Sequence, residues 1–501
     1  MSTSPADLVP VPAAADDLGR LFGAAGHELH LVGGTVRDAL LGRPSTDLDF
    51  ATDARPDQVL AIVAEAAEAT WTTGIEFGTV GIRFRGGRCE ITTFRADRYD
   101  RVSRNPVVRY GDSLEADLQR RDFTMNAMAL SVPEHRFADP YGGLRDLATG
   151  ALRTPATPEE SFADDPLRML RAARFVAQLG VTPAPEVVAA MTAMAGEIGR
   201  ITPERVQVEL SKLLLGPHPR RGLELLADTG LADVILPELP ALRMEIDEHH
   251  QHKDVYAHTL TVLDQAVALE PAGPDLVLRL AAVLHDIGKP ATRRHEPAGG
   301  VSFHHHEVVG ANLARARLRA LRYPKEVVES VAQLVALHLR FHGYGRGEWT
   351  DSAVRRYVHD AGPLLDRLHV LVRSDCTTRN KRRAIALARA YDALEDRIAR
   401  LQEEEELRAI RPDLDGNEIM ALLGIPPGRL VGEAWRHLKE LRLDRGPLGH
   451  DKAVAELYRW ARERGLAVPP ESGAARGDPA GEDPADGDPA GGDPAGAGPA
   501  E

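Results

Sequence analysis

The sequence is poor in cysteine, in aromatic residues and in long apolar runs, and each scarcity removes a class of protein. Cys89 and Cys376 are the only cysteines among 501 residues. They lie far apart and form no metal-spaced pair, which argues against a disulfide scaffold or a zinc ribbon. Aromatic residues make up 5% of the chain, so nucleobase stacking has to come from a few rings or from arginines. No run of about 18 uninterrupted apolar residues occurs, so no membrane span is expected. The opening MSTSPADLVPVPAAADD lacks a basic region followed by an apolar run. It does not read as a signal peptide, and the cytoplasm is the expected compartment. Positive net charge is missing too: the formal charge is −14. As an average this argues against a nucleic-acid partner, because phosphate attracts lysine and arginine. The average hides segregation. The C-terminal tail is acidic, while basic clusters stand at Arg98–Arg109, Arg120–Arg121 and Arg379–Arg383, so charge has to be judged by segment.

What is present suffices for three or four domains at about 100–200 residues each. LHLVG reads as a short buried strand broken by Gly33–Gly34, and VRDALLG as a short helix ending at Gly42. DLDFAT reads as a strand and RPDQVLAIVAEAAEA as an amphipathic helix. GTVGIRFRGGRCEITTF reads as a hairpin turning at Gly86–Gly87. Residues 25–152 thus form a small α/β domain. From about residue 157 the apolar residues recur at helical spacing, with glycines near the helix ends. Residues 153–245 are taken as one helical segment, 250–385 as a histidine-rich helical domain and 386–468 as further helices. The tail 469–501, rich in Pro, Gly and Asp, is expected to be disordered.

Residues two apart on a strand point the same way, so Asp47 and Asp49 can share a metal cluster. Magnesium takes hard oxygen ligands and is held by one or two carboxylates plus substrate phosphates. Two such ions can activate a 3′-hydroxyl and stabilise a leaving pyrophosphate. Glu90, in CEITTF, is the candidate for a third carboxylate from a neighbouring strand. Gly33 and Gly34 expose backbone amides at a strand-to-helix turn suited to phosphate, and Arg37 is placed to add charge there.

GGTVRDALLGRPSTDLDF resembles the signature of class II nucleotidyltransferases, the family of bacterial and eukaryotic CCA-adding enzymes and bacterial poly(A) polymerases. RRDFTMNAMA is similar to the family's ribose-contacting motif, which implies that Arg121, Asp122 and Asn126 lie near the sugar. DPYGGLRDL matches its hinge segment. ADDPLRMLRAARF resembles its base-selecting helix, usually E-D-x-x-R; Asp164 here replaces the glutamate, while Asp165 and Arg168 are intact and Arg171 follows one turn on. PERVQVELSKLL matches the neck helix that supports it. The basic segment from Arg95 to Glu115 is implied to be a loop that helps switch between nucleotides. The resemblance covers residues 28–240.

Asp165 and Arg168, at i and i+3, are expected to share a helix face. Aspartate accepts and arginine donates hydrogen bonds. Cytosine and adenine each offer an amino donor beside a ring-nitrogen acceptor and satisfy both. Uracil and guanine present the reverse and would leave buried groups unpaired, at about 1–3 kcal/mol each.

The histidine-rich region holds His258, then His285 and Asp286 at the end of an apolar helix, then His306, His338 and Asp375. Imidazoles mixed with aspartates suit divalent transition metals. The pattern looks like an HD-type phosphohydrolase domain. That implies His258, His285, Asp286 and Asp375 as ligands, with His306 and His338 completing a second site and Lys289 meeting a phosphate. The resemblances together imply an α/β head, an all-α neck, an HD helical body and a helical tail touching tRNA. They imply addition of C, C and A to tRNA from CTP and ATP; polyadenylation and phosphohydrolase activity stand as alternatives. No protein partner is evident.

Overall fold

The computed structural model describes residues 9–43, 47–95, 111, 113–244, 254–297, 300–343, 349–378, 380–405 and 412–468. The acidic tail and nearly all of the basic segment 95–115 lie outside the described residues. The chain divides into two compact units, residues 1–408 and 409–501.

The first unit opens with α1 (Ala13–Ala24), β1 (Leu29–Val32), α2 (Gly34–Leu40), β2 (Asp47–Thr52), α3 (Pro56–Val63), β3 (Ala69–Trp71), β4 (Thr79–Phe84) and β5 (Gly87–Thr93). Then come α4 (Leu114–Gln119), β6 (Ala129–Ser131), β7 (Phe137–Ala138) and α5 (Gly143–Thr149). The seven strands form one sheet in the order β3-β4-β5-β2-β1-β6-β7, with β2 and β5 parallel. Alternation along the strands decides the layering. Leu48 and Phe50 of β2, Val80 and Ile82 of β4, and Cys89 and Ile91 of β5 share a core with Leu18 and Phe22 of α1 and Val59 and Val63 of α3. The intervening residues, Asp47, Asp49 and Glu90 among them, lie on the opposite face. The expected helix from Arg55 to Ala69 is shorter than its pattern. It stops at Val63, its last fully buried residue, and after a turn, with Ala66 and Ala67 still packed against the same core, the chain enters the edge strand β3.

Helices follow: α6 (Pro158–Asp164), α7 (Leu167–Leu179), α8 (Pro185–Met194), α9 (Pro203–Leu214), α10 (Pro219–Asp228) and α11 (Leu231–Ile235). α7 packs against α9 and α10. Next are α12 (Val255–Leu269), α13 (Leu276–Leu284), α14 (Lys289–Thr292), α15 (His306–Ala320), α16 (Lys325–Leu337), α17 (Asp351–Ala361), α18 (Leu365–Ser374) and α19 (Lys381–Glu405). α19 runs across the boundary expected at 385/386. Buried side chains join the neck to this bundle, Ser211 to Tyr323 at 3.1 Å among them. Arg279 of α13 donates to the carbonyls of Leu214 and Gly216 at the end of α9, at 2.6 and 2.7 Å, and pairs bidentately with buried Glu270. The second unit holds α20 (Gly416–Leu423), α21 (Arg429–Arg445) and α22 (His450–Glu463), packed on Leu414, Ile419, Leu438, Leu457 and Trp460.

Candidate active site and metal centre

β2 and β5 bring the acids together. Their parallel register sets Glu90 beside Asp49, and Asp47, Asp49 and Glu90 line a cleft of about 370 Å³ with Gly34, Thr35 and Asp38. Thr35 Oγ1 accepts the backbone N–H of Asp49 at 3.0 Å, which ties the glycine turn to the strand. Burial first, then the charges of Glu90 and Asp47, push the Asp49 carboxyl up against the pull of Arg121 and Arg37. A cluster that resists its own ionisation gains from a bound cation. Gly33 precedes α2 at φ +66°, a region that favours glycine. A Cβ there would lie 2.8 Å from Arg121 Nη1, so Arg121 crosses the turn directly.

The residues of the ribose motif form a chain of contacts. Arg171 of α7 reaches Asp122 Oδ2 through Nε and Nη2 at 2.8 and 2.5 Å. Asn126 donates to Asp122 Oδ1 at 2.8 Å and accepts from Arg37 at 2.5 Å. Burial alone would raise the Asp122 carboxyl; Arg171 and Asn126 override it and hold it down at about 2. Arg37 is engaged further by Asp38 and stands over the Phe175 ring at 5.1 Å. It therefore ties the glycine-turn helix to α7 rather than pointing into open solvent.

The base-selecting pair requires a correction. Asp165 does not share a helix face with Arg168. It lies between α6 and α7 in extended conformation, φ −143°, and caps the start of α7 by accepting the Leu167 N–H at 3.1 Å. The reason is Pro166, which disfavours helical backbone at the preceding residue. The other Asp165 oxygen pairs with Arg205 of α9 at 2.7 Å. Arg168 is buried and donates to Ser161 and to the Arg120 carbonyl at 2.6–3.2 Å. Burial raises the Asp164 carboxyl. Sequence reasoning missed Thr35, Asp38, Arg205 and Glu209. Glu209, buried on α9, holds Arg174 at 2.7 Å and approaches Arg171 at 3.9 Å. A charge at a buried helical position, among Val206, Leu210 and Leu213, was the available signal.

The six histidine-region ligands converge but divide differently from the sequence grouping. His258, His285 and Asp375 form one candidate metal cluster, and Asp286, His306 and His338 the other. Asp286 stands between them: Oδ2 is 3.2 Å from His285 Nε2 and Oδ1 is 3.3 Å from His306 Nε2. His285, His306 and His338 set Nδ1 at 2.7–2.8 Å from the carbonyls of Ala282, Phe303 and Val335. Nδ1 must then carry a proton, because a carbonyl only accepts. Burial is the first cause that lowers His338, to about 3, so its Nε2 keeps a lone pair, whereas at His285 burial is overridden by Asp286, which raises it to about 9 when no cation is bound. Nε2 of His306 and of His338 are buried without a hydrogen-bond partner. Outer carbonyl bonds of this kind orient metal-ligating histidines and leave Nε2 turned towards the cluster. The donor set fits divalent metal.

Three family descriptions match the chain: the poly(A) polymerase head domain over residues 29–153, the probable RNA and SrmB-binding site of polymerase A over 180–242, and the HD domain over 255–380. The A-adding tRNA nucleotidyltransferase of Deinococcus radiodurans is 37% identical over 445 residues, 86% of this chain and 95% of that one. The chain belongs to the tRNA nucleotidyltransferase family. A second family relative, the CC-adding tRNA nucleotidyltransferase of Thermus thermophilus, is 34% identical over 86% of this chain and 93% of its own length. Among solved structures, the CCA-adding enzyme of Bacillus stearothermophilus in complex with CTP superposes with a TM-score of 0.63 at 27% identity, covering 90% of this chain and 98% of that one. Membership of this family, with an HD domain, implies use of divalent metal. Among the described residues no helix is long and apolar enough to cross a membrane.

Proposed function

We propose that this chain adds C, C and A to the 3′ end of tRNA in the cytoplasm, taking CTP and ATP and releasing pyrophosphate. The observation that carries this reading is the meeting of Asp47, Asp49 and Glu90 in one cleft beside the glycine turn. Asp47 and Asp49 would hold magnesium, with Glu90 as a third carboxylate; bound there, magnesium supplies activation of the 3′-hydroxyl and charge neutralisation of the pyrophosphate. Gly33 and Gly34 present backbone amides to the triphosphate. Arg121, Asp122 and Asn126 contact the sugar, and Arg171 fixes Asp122. Asp165 accepts from the base amino group and Arg168 donates to the ring nitrogen, without a nucleic-acid template.

A second reading has specific support. The two relatives described above, each matched over more than nine-tenths of its own length, are named for a single stage, A-adding or CC-adding. One experiment separates the readings. Transcripts ending before CCA, and after CC, are incubated with magnesium and CTP, ATP or both. Completion of CCA on the first transcript supports the proposal. Arrest at CC, or growth of the CC transcript alone, supports the single-stage reading. Long A-tails from ATP alone would replace both with polyadenylation.

At the HD site we propose that His258, His285 and Asp375, and Asp286, His306 and His338, would each hold a divalent transition metal, which would supply activation of water for phosphate-ester hydrolysis. Lys289 Nζ, 3.0 Å from Asp286 Oδ2, stands where it can meet the phosphate.

A further inference from the structure

Among the described residues, the sheet face that carries Asp47 and Asp49 is covered on one side only. Towards β1 and β6 it is closed by a small core of Val32, Ala51, Phe94, Leu118 of α4, Ala127 and Ala129. Towards β5, β4 and β3 no described residue closes the face: Arg83 and Arg88 are exposed or half-exposed, and Glu90 and Trp71 partly so. The registers define two rows crossing it. One runs Asp49, Glu90, Gly81, Trp71, and the other Asp47, Arg88, Arg83, Ala69. At about 4.8 Å per strand, each row spans about 14 Å. Each begins at a carboxylate of the cleft; the first ends in Trp71, and the second crosses Arg88 and Arg83 before it ends at Ala69.

Trp71 is the large side chain of this open face. Its five-membered ring sits directly over Gly81, where an added Cβ would come within 1.8 Å of Trp71 Nε1 and 2.2 Å of Cε2. The Arg88 guanidinium stands over the indole at 5.2 Å from the ring centroid and reaches Glu90 at 2.8 Å. Ring and guanidinium therefore form a stack on the sheet, and its outer member lines the catalytic cleft. An aromatic ring over a strand glycine can be edge-strand packing alone. Packing alone does not account for an exposed arginine layered on the ring and facing the cleft. Single-stranded RNA is held by this combination of cationic and stacking groups.

We propose that Trp71, Arg88 and Arg83 form a platform for the last nucleotides of the RNA acceptor strand, leading its 3′-hydroxyl to Asp47 and Asp49. The inference rests on the nucleotide-addition reading above. The platform takes the RNA rather than the nucleoside triphosphate, because Gly33, Gly34 and Arg121 approach the carboxylates from the other side of β2. Arg88 contacts backbone phosphate, and Trp71 holds its guanidinium in place.

The test uses the full-length protein and a tRNA transcript lacking its last three nucleotides, labelled with fluorescein. Its Kd is read by anisotropy without nucleotide, and KM values by CTP incorporation. Trp71→Ala is expected to raise the Kd and KM for the transcript about ten-fold, with the KM for CTP unchanged. Gly81→Ala, which leaves the ring but dislodges it, should do the same, and Trp71→Phe should restore binding. Arg88→Gln should weaken binding and lower its salt dependence. A lowered unfolding midpoint in Trp71→Ala with unchanged Kd for the transcript would reduce the stack to packing and overturn the platform. So would a rise confined to the KM for CTP. If the wild-type protein incorporates nothing while the Kd shifts stand, the nucleotide-addition reading fails and the platform survives as an RNA site. Incorporation with unshifted Kd fails the platform alone.

Discussion

Asp49 sits where burial and two neighbouring carboxylates oppose its charge. Asp49→Asn removes that repulsion together with the ligand. We expect incorporation to fall at least about a hundred-fold in kcat/KM, with no loss of unfolding midpoint; unchanged turnover would remove the residue from the site. Asp122 shows the opposite balance. Its carboxyl is held at about 2 in the fold against about 3.9 in an unfolded chain. A depressed carboxyl stabilises the fold fully above the unfolded value, and the contribution disappears as pH falls from about 4 to about 2. Its size is on the order of 2.5 kcal/mol. Urea unfolding of wild type and Asp122→Asn at pH 6 and pH 3 should show the wild type's advantage shrinking at the lower pH; a constant gap contradicts the assignment. The acids Asp47 and Asp49 were legible because strand alternation alone puts them on one face. The place of Asp165 outside the helix was not, because helical spacing to Arg168 carries no mark of the extended backbone that Pro166 imposes on it.

The neck helix α9 works through its two ends. Near its start Arg205 and Glu209 hold Asp165, Arg171 and Arg174; at its end Arg279 and Glu270, both side chains 3% exposed, join it to α13. Replacing Arg279 by Met strands a buried carboxylate and two helix-end carbonyls, which costs about 3–5 kcal/mol. A loss below about 1 kcal/mol, the usual worth of a surface pair, would show that the joint relaxes. Asp165→Asn turns an acceptor-only group into one that also donates. Its preference for CTP over UTP, measured as a ratio of kcat/KM, should fall about ten-fold or more; an unchanged ratio would place base selection elsewhere. The β4–β5 hairpin was readable from its glycine turn and alternating pattern. β3 was not, since three residues carry no period, nor was the end of α3, because the alanine- and glutamate-rich stretch after Val63 keeps helical propensity although the helix ends there.

Within the first unit the two candidate metal clusters of the histidine region and the carboxylates of the head cleft stand on separate elements. The histidines could be picked out in the sequence, but their division into two clusters around Asp286 depends on how α12, α13, α15, α16 and α18 pack, which no spacing encodes. His285→Ala should abolish metal-dependent phosphate release from a phosphate ester while leaving CTP incorporation with magnesium intact. Loss of both activities would mean that the two centres are not independent. The central claim is that one cleft on the head sheet extends tRNA by nucleotides. The most direct measurement incubates the wild-type protein and Asp49→Asn with magnesium, CTP, ATP and a tRNA transcript lacking its last three nucleotides, and sequences the 3′ ends. The account predicts ends completed as CCA with the wild type and unextended ends with Asp49→Asn. Unextended ends with both, or equal extension by both, would contradict it.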